Sequence, residues 1–144
     1  MFTSIVVGTD GSPTAADAVQ RAADLAQLCG ASLHVVTAYR PISEIVLNPE
    51  ALPVDLGSMV NPQEDAASIC EKAARKVAAD GLKVNAHTCP GNAAEALIEV
   101  AEKENADLII VGNRGMKGKR RMLGSVPNSV SHHAPCTVMI VSTS

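Results

Sequence analysis

Aromatic residues are nearly missing from this chain: its 144 residues include no tryptophan, one tyrosine and one phenylalanine. A core must therefore be built from alanine, valine, leucine and isoleucine, and 47% hydrophobic residues supply ample material for one. Charge is sparse as well, at 19%, too little for a disordered chain of this apolar content. The four cysteines (Cys29, Cys70, Cys89, Cys136) are scattered and form no C-x-x-C pair. That removes metal-ligand spacing, and a chain with this much core does not need disulfides. They read as buried thiols, because free cysteine behaves as a small hydrophobe. His132 and His133 adjoin each other without a cysteine or acid at ligand spacing, so they read as a polar helix end and no metal site is expected. No apolar run is long enough to span a bilayer. The first residues, MFTSIVVGTDGS, carry neither a basic n-region nor an unbroken apolar h-region. The expectation is a soluble, cytoplasmic protein without a membrane partner, one domain over residues 1–144.

What is present begins with the distribution of charge. The chain is −3 overall, yet five of its 12 basic residues (Arg114, Lys117, Lys119, Arg120, Arg121) fall within eight positions that contain no acid. The remainder carries the other basic residues against all 15 acids. A positive loop on an acidic protein fits a small anion; a long nucleic acid would need a broad basic face, so none is expected as a partner. The plainer reading is a solvated loop.

Apolar runs alternate with helical patterns. Residues 4–9 (SIVVGT) form a run apolar enough for a strand buried on both faces. Ser12 and Pro13 then supply an N-cap and a first-turn proline. Ala15, Ala18, Val19, Ala22, Ala26 and Cys29 follow at spacings of three and four, and Gly30 ends that helix. Ser32–Tyr39 reads as a second strand. Residues 40–62 hold four prolines and no period. A helix over 63–80, a strand over 82–88, a helix over 92–104 and a strand over 106–111 come next. Ser125–His133 reads as a short helix and Thr137–Val141 as a fifth strand. Strands alternating with helices predict an α/β fold, a doubly wound five-stranded parallel sheet with helices on both faces. Right-handed crossovers then favour the order 3-2-1-4-5.

In such a sheet ligands bind beyond the carboxyl ends of the strands where the winding reverses, here between strands 1 and 4. The segments leaving those strands are Gly8-Thr9-Asp10-Gly11-Ser12 and, after Val111, Gly112-Asn113-Arg114-Gly115. Gly118-Lys119 suggests a P-loop, but Arg120 stands where that motif needs a hydroxyl for magnesium. Gly124-Ser125 instead opens a helix whose free amides and dipole favour an anion. A phosphate-handling loop, a helix N-terminus and one acid at a switch point make a nucleotide site. Asp10 suits ribose hydroxyls, an adenine amino group or a metal's water; equally, it caps the first helix beside Ser12.

At these residues the chain resembles the universal stress protein family over essentially its whole length. The resemblance is carried by VGTDGS, by ADLIIVG, by Gly112-x2-Gly115 followed by Gly124-Ser125-Val126, and by LGSVPNSVSHHAPCTVMIV. It is to the family's nucleotide-binding branch, marked by G-x2-G-x9-G-[ST], although here eight residues separate Gly115 from Gly124. The resemblance implies ATP or a related adenine nucleotide such as cAMP as ligand, and a role as stress-response sensor or regulator; magnesium is an optional companion of a polyphosphate. It places Gly8, Thr9 and Asp10 against the adenosine and the backbone of Ala38 against the adenine. It lays Val111, Gly112, Asn113, Arg114 and Gly115 along the ribose and phosphates, and closes Gly124, Ser125 and Val126 over the phosphates.

No positioned general base, acid pair or activated nucleophile is visible, so no enzyme is expected beyond slow, incidental ATP hydrolysis. Two alternatives stand beside this. One is a phosphoryl- or adenylyl-transferring enzyme using Lys117 or Lys119; the other is an interaction module with a basic docking loop. Strand 5 would be a hydrophobic edge without an interrupting charge or proline, which predicts a homodimer paired through Thr137–Val141.

Overall fold

The computed structural model describes residues 1–41, 61–113 and 125–143. Its elements run β1 (Ser4–Gly8), α1 (Pro13–Cys29), β2 (Ser32–Tyr39), α2 (Pro62–Val77), β3 (Val84–Pro90), α3 (Ala93–Lys103), β4 (Leu108–Gly112), α4 (Ser125–His133) and β5 (Thr137–Val141). The five strands form one parallel sheet in the order β3-β2-β1-β4-β5, the expected doubly wound topology.

Alternation along the central strands builds two cores. Ile5, Val7, Leu33, Val35, Leu108 and Ile110 point to one face, against the alanine stripe of α1 and Cys70 and Val77 of α2. Val6, Val36, Ile109 and Val111 point to the other, against Ala94, Leu97 and Val100 of α3 and Val130 of α4. Each of these larger side chains, taken out of water, contributes about 1.5–3 kcal/mol. Pairing Ile5 with Leu33 and with Leu108 keeps the cores in register across the middle of the sheet. At the amino end of β1, the Asp107 carboxylate accepts the amides of Thr3 (3.0 Å to the nearer oxygen) and Ser4 (3.0 Å), tying β1 to the entry of β4.

The helices begin where their caps dictate. Ser12 Oγ accepts the amide of Ala15 at 3.2 Å, with Pro13 as the first residue of α1. Asn61 and Asn92 do the same for α2 and α3, accepting from Gln63 and Glu95 at 2.9 Å. Gly30 closes α1 in the left-handed conformation, φ 72°.

Three elements have ends two or more residues away from the sequence reading. Helix α2 stops at Val77, its last buried residue, because Ala78 turns extended and the two residues after it are exposed. Strand β3 starts at Val84, since Leu82 is held in a turn by its amide bond to Ala79; it runs on to Pro90, tolerated on an edge strand. Strand β4 starts at Leu108, since the amide of Ala106 still bonds Ala101 at the end of α3. Of the cysteines only Cys70 is fully buried; the other three are half-buried. Burial pushes the Cys70 thiol up, and its Sγ donates to the carbonyl of Val35 at 3.0 Å. No helix among the described residues is long and apolar enough to cross a membrane.

Candidate functional site

The carboxyl ends of β1 and β4 open onto a cleft of about 380 Å³, within the range of small-molecule sites. Its floor is made by strand exits. Gly8, Thr9 and Asp10 leave β1, Val36 and Ala38 belong to β2, and Val111 and Gly112 end β4.

Three helices present their first turns to the same space. Ser12, Thr14 and Ala15 come from α1, Ala93 and Leu97 from α3, and Ser125, Val126 and Pro127 from α4. First-turn amides have no partner within their helix and carry the positive end of its dipole, so the cleft favours an anion from several directions. Pro127 costs α4 nothing, because an amide at that position would have no intrahelical acceptor. Between the polar groups the walls are aliphatic: Ala18, Val36, Leu97, Val111, Val126.

The loop leaving β1 is held by its own hydrogen bonds. The amide of Thr9 donates to Val36 O at 2.9 Å, and Thr37 Oγ1 donates to Thr9 O at 2.9 Å. Thr9 Oγ1 accepts the amide of Gly11 at 3.1 Å, and Asp10 Oδ1 accepts that of Ser12 at 2.9 Å. Gly11 sits at φ 84°, a conformation other residues rarely adopt. Asp10 thus holds the turn ahead of the helix, the first-turn amide being capped by Ser12, and it also lines the cleft. Among the described lining residues it is the one acidic or basic side chain.

Of the residues singled out in the sequence, Gly8, Thr9, Asp10, Ala38, Val111, Gly112, Ser125 and Val126 come together on this cleft. Arg114, Gly115 and Gly124, with Lys117 and Lys119, lie outside the described residues. Asn113 is not on the cleft surface. Its Oδ1 accepts the amide and the hydroxyl of Thr143 at 2.9 and 3.0 Å, and Thr143, 2% exposed, lines the cleft in its place.

Thr143 and the alanine wall of α1 were missed from sequence. The available signal was topological: β5 lies beside β4, so its exit falls on the same side of the switch point. The glycines also divide in their duties. A Cβ on Gly8 would meet Leu97 Cδ2 at 3.2 Å, so this position is bare to let α3 approach the sheet. A Cβ on Gly112 would meet Thr143 Oγ1 at 3.4 Å, an ordinary contact.

Comparison with known proteins gives this architecture a context. The model of the universal stress protein family matches residues 1–142. A universal stress protein of Mycobacterium tuberculosis is 36% identical over 144 residues, covering 99% of this chain and 97% of the relative. The universal stress protein YxiE of Bacillus subtilis is 32% identical, covering 98% and 99%. A universal stress protein solved in complex with cAMP superimposes with a TM-score of 0.74 at 32% identity, covering 99% of this chain and 98% of that one. Matched over nearly its whole length by the family model and by such relatives, this chain belongs to the universal stress protein family.

Proposed function

We propose that the cleft binds an adenine nucleotide, ATP or a relative such as cAMP, and that the protein acts as a cytoplasmic stress-response sensor or regulator, not as an enzyme. The observation that carries this reading is the convergence of three helix N-termini on one apolar-walled cleft at the switch point. The aliphatic side chains of Val36, Val111 and Leu97 suit a flat base, and the helix amides suit phosphate. Asp10 and the hydroxyls of Ser12 and Thr14 supply hydrogen-bonding groups for a ribose. That a similar family member was solved with cAMP supports the same ligand class. Magnesium would accompany a polyphosphate, with Asp10 as its acidic neighbour.

Turnover is expected to be slow at most. Asp10 is the single carboxylate lining the described cleft, and one of its oxygens already holds the amide of Ser12. Calorimetric titration with ATP, AMP and cAMP, with and without magnesium, tests the reading. Saturable one-to-one binding without phosphate release over the same hours is the expected outcome. Absence of binding to all three overturns it.

The assembly that goes with this reading is a homodimer paired through β5. That strand is an edge of the sheet, and Met139 and Ile140 remain 37% and 38% exposed on it. A hydrophobic strand of this kind pairs readily with a second copy of itself.

A further inference from the structure

The α3 face of the sheet carries a second polar cluster, whose residues are not part of the cleft lining. His34 of β2 is 5% exposed; His87 of β3 and Glu104, which follows the last residue of α3, are half-buried. The pairing of Val36 with His87 sets the two histidines diagonally on neighbouring strands, within reach of each other. His34 Nδ1 lies 2.9 Å from His87 Nε2, with the rings tilted by 46°, so the nitrogens meet edge to edge. Only one proton fits between them, so one ring donates and the other accepts. One donor atom from each of His34, His87 and Glu104 lies within 4.8 Å of the other two.

We propose that His34 Nδ1, His87 Nε2 and a Glu104 carboxylate oxygen form a binding site for a divalent transition cation of the zinc class. Two imidazoles and one carboxylate, with water in a fourth position, are a donor set that zinc takes; calcium and magnesium want more oxygen ligands. At nitrogen–zinc distances of about 2.0–2.1 Å, a tetrahedral ion asks the two nitrogens to part by only a few tenths of an ångström. Loading releases no proton from the neutral pair, because the donating ring shifts its proton to its other nitrogen. Burial holds both imidazoles below their ordinary value, which favours the neutral, ligating form. The ammonium groups of Lys83 and Lys103 oppose a cation here and the Glu104 carboxylate offsets them.

His87 pairs with Val36, which lines the cleft floor, but Glu104 sits at the far end of α3 from Ala93, with about 16 Å of helix between it and the first turn that would face a phosphate. This ion would therefore not be one that accompanies a bound phosphate. It would pin the end of α3 to β2 and β3.

Zinc titration of the nucleotide-free full chain, followed by calorimetry and by thermal unfolding, tests the site. The expected result is one zinc per chain and a raised Tm that a chelator reverses. Glu104→Gln and His87→Gln should each weaken binding at least tenfold, while a His132→Ala, His133→Ala double variant should keep wild-type affinity. Cobalt in place of zinc should give a spectrum without thiolate charge transfer. Glu104→Gln alters a half-exposed side chain and keeps the test valid if His87→Gln fails to fold. No zinc-dependent change in the wild type, unchanged affinity in folded Glu104→Gln, or thiolate bands with cobalt would each overturn the assignment.

Discussion

Replacing Asn113 by alanine tests whether the cleft wall is held as the structure implies. The Asn113 carboxamide oxygen accepts two hydrogen bonds from Thr143, one from its amide at 2.9 Å and one from its hydroxyl at 3.0 Å. Thr143 is almost fully buried, so neither donor gains water freely when the acceptor is removed. A buried donor left without a partner costs about 1–3 kcal/mol. The hydroxyl can rotate to another acceptor and the amide cannot, so the cost should fall near the middle of that range, about 2 kcal/mol. For a chain of this size each kcal/mol shifts Tm by roughly 3–4 °C, and a fall of about 6–8 °C is expected. Nucleotide affinity should fall as well, because Thr143 is part of the cleft wall. Asn113→Asp separates the two effects. It keeps an acceptor and should retain most of the stability, but it sets a carboxylate near the anion site and should weaken ATP more than adenosine. Thermal unfolding and calorimetry on both variants provide the readout. A wild-type Tm in Asn113→Ala, or equal losses for ATP and adenosine in Asn113→Asp, would refute the reasoning.

Other expectations concern the amino end of the sheet, the basic loop and the edge strand. Partial burial works to raise the Asp107 carboxyl, but the amides of Ser4 and Thr3 outweigh it and hold the group below its usual value of 3.8. A carboxyl lowered on folding adds stability that is present above 3.8 and lost as pH falls through the lowered value. Asp107→Asn should thus cost about 1 kcal/mol at pH 7, discounted for exposure, and progressively less as pH falls below 3.8; urea midpoints across that range check it. In the loop outside the described residues, the glycine spacing predicts that Gly124→Glu abolishes ATP binding, whereas Lys119→Ala costs on the order of 1 kcal/mol and more at low salt. Retained affinity in folded Gly124→Glu, or complete loss in Lys119→Ala, would place the phosphates elsewhere. Ile140→Lys should convert a dimer into a folded monomer by light scattering, since a charge on a hydrophobic edge opposes pairing; a monomeric wild type at micromolar concentration would defeat the dimer.

The topology was legible because local signals agreed with one another. Ser12-Pro13 and Gly30 bound α1 at both ends, and the buried runs IVV and LIIV marked the two strands that flank the switch point. Boundaries slipped where tertiary contacts decide them: α2 ends with its last buried side chain, ahead of the glycine that closes the pattern. The cleft was legible in outline because switch points follow from strand order. Thr143 was not, because its place depends on the Asn113 carboxamide thirty residues away. His34 and His87 were hidden for the same reason. Their separation of 53 residues matches no ligand spacing, and only the β2–β3 register brings them together.

The glycines of the two strand exits illustrate how sequence and site can be confused. In sequence, Gly8, Gly11 and Gly112 look alike: each stands at a strand exit beside the switch point and could serve either a close approach of backbone to a ligand or a positive φ. In the fold, Gly8 is bare because Leu97 packs over it, and Gly11 provides a left-handed turn. Of these three only Gly112 has ordinary room for a Cβ. Of the first-exit glycines, Gly8 therefore lets α3 come close to the sheet and Gly11 turns the chain ahead of α1, and it is the helices so placed that deliver their N-termini to the cleft. Anion affinity on this side is a consequence of packing: whatever displaces Leu97 from Gly8 should also misplace the first turn of α3 four residues upstream. Recognition and core stability are consequently coupled at Gly8, whereas at Thr9 and Asp10 the loop's own hydrogen bonds set the geometry.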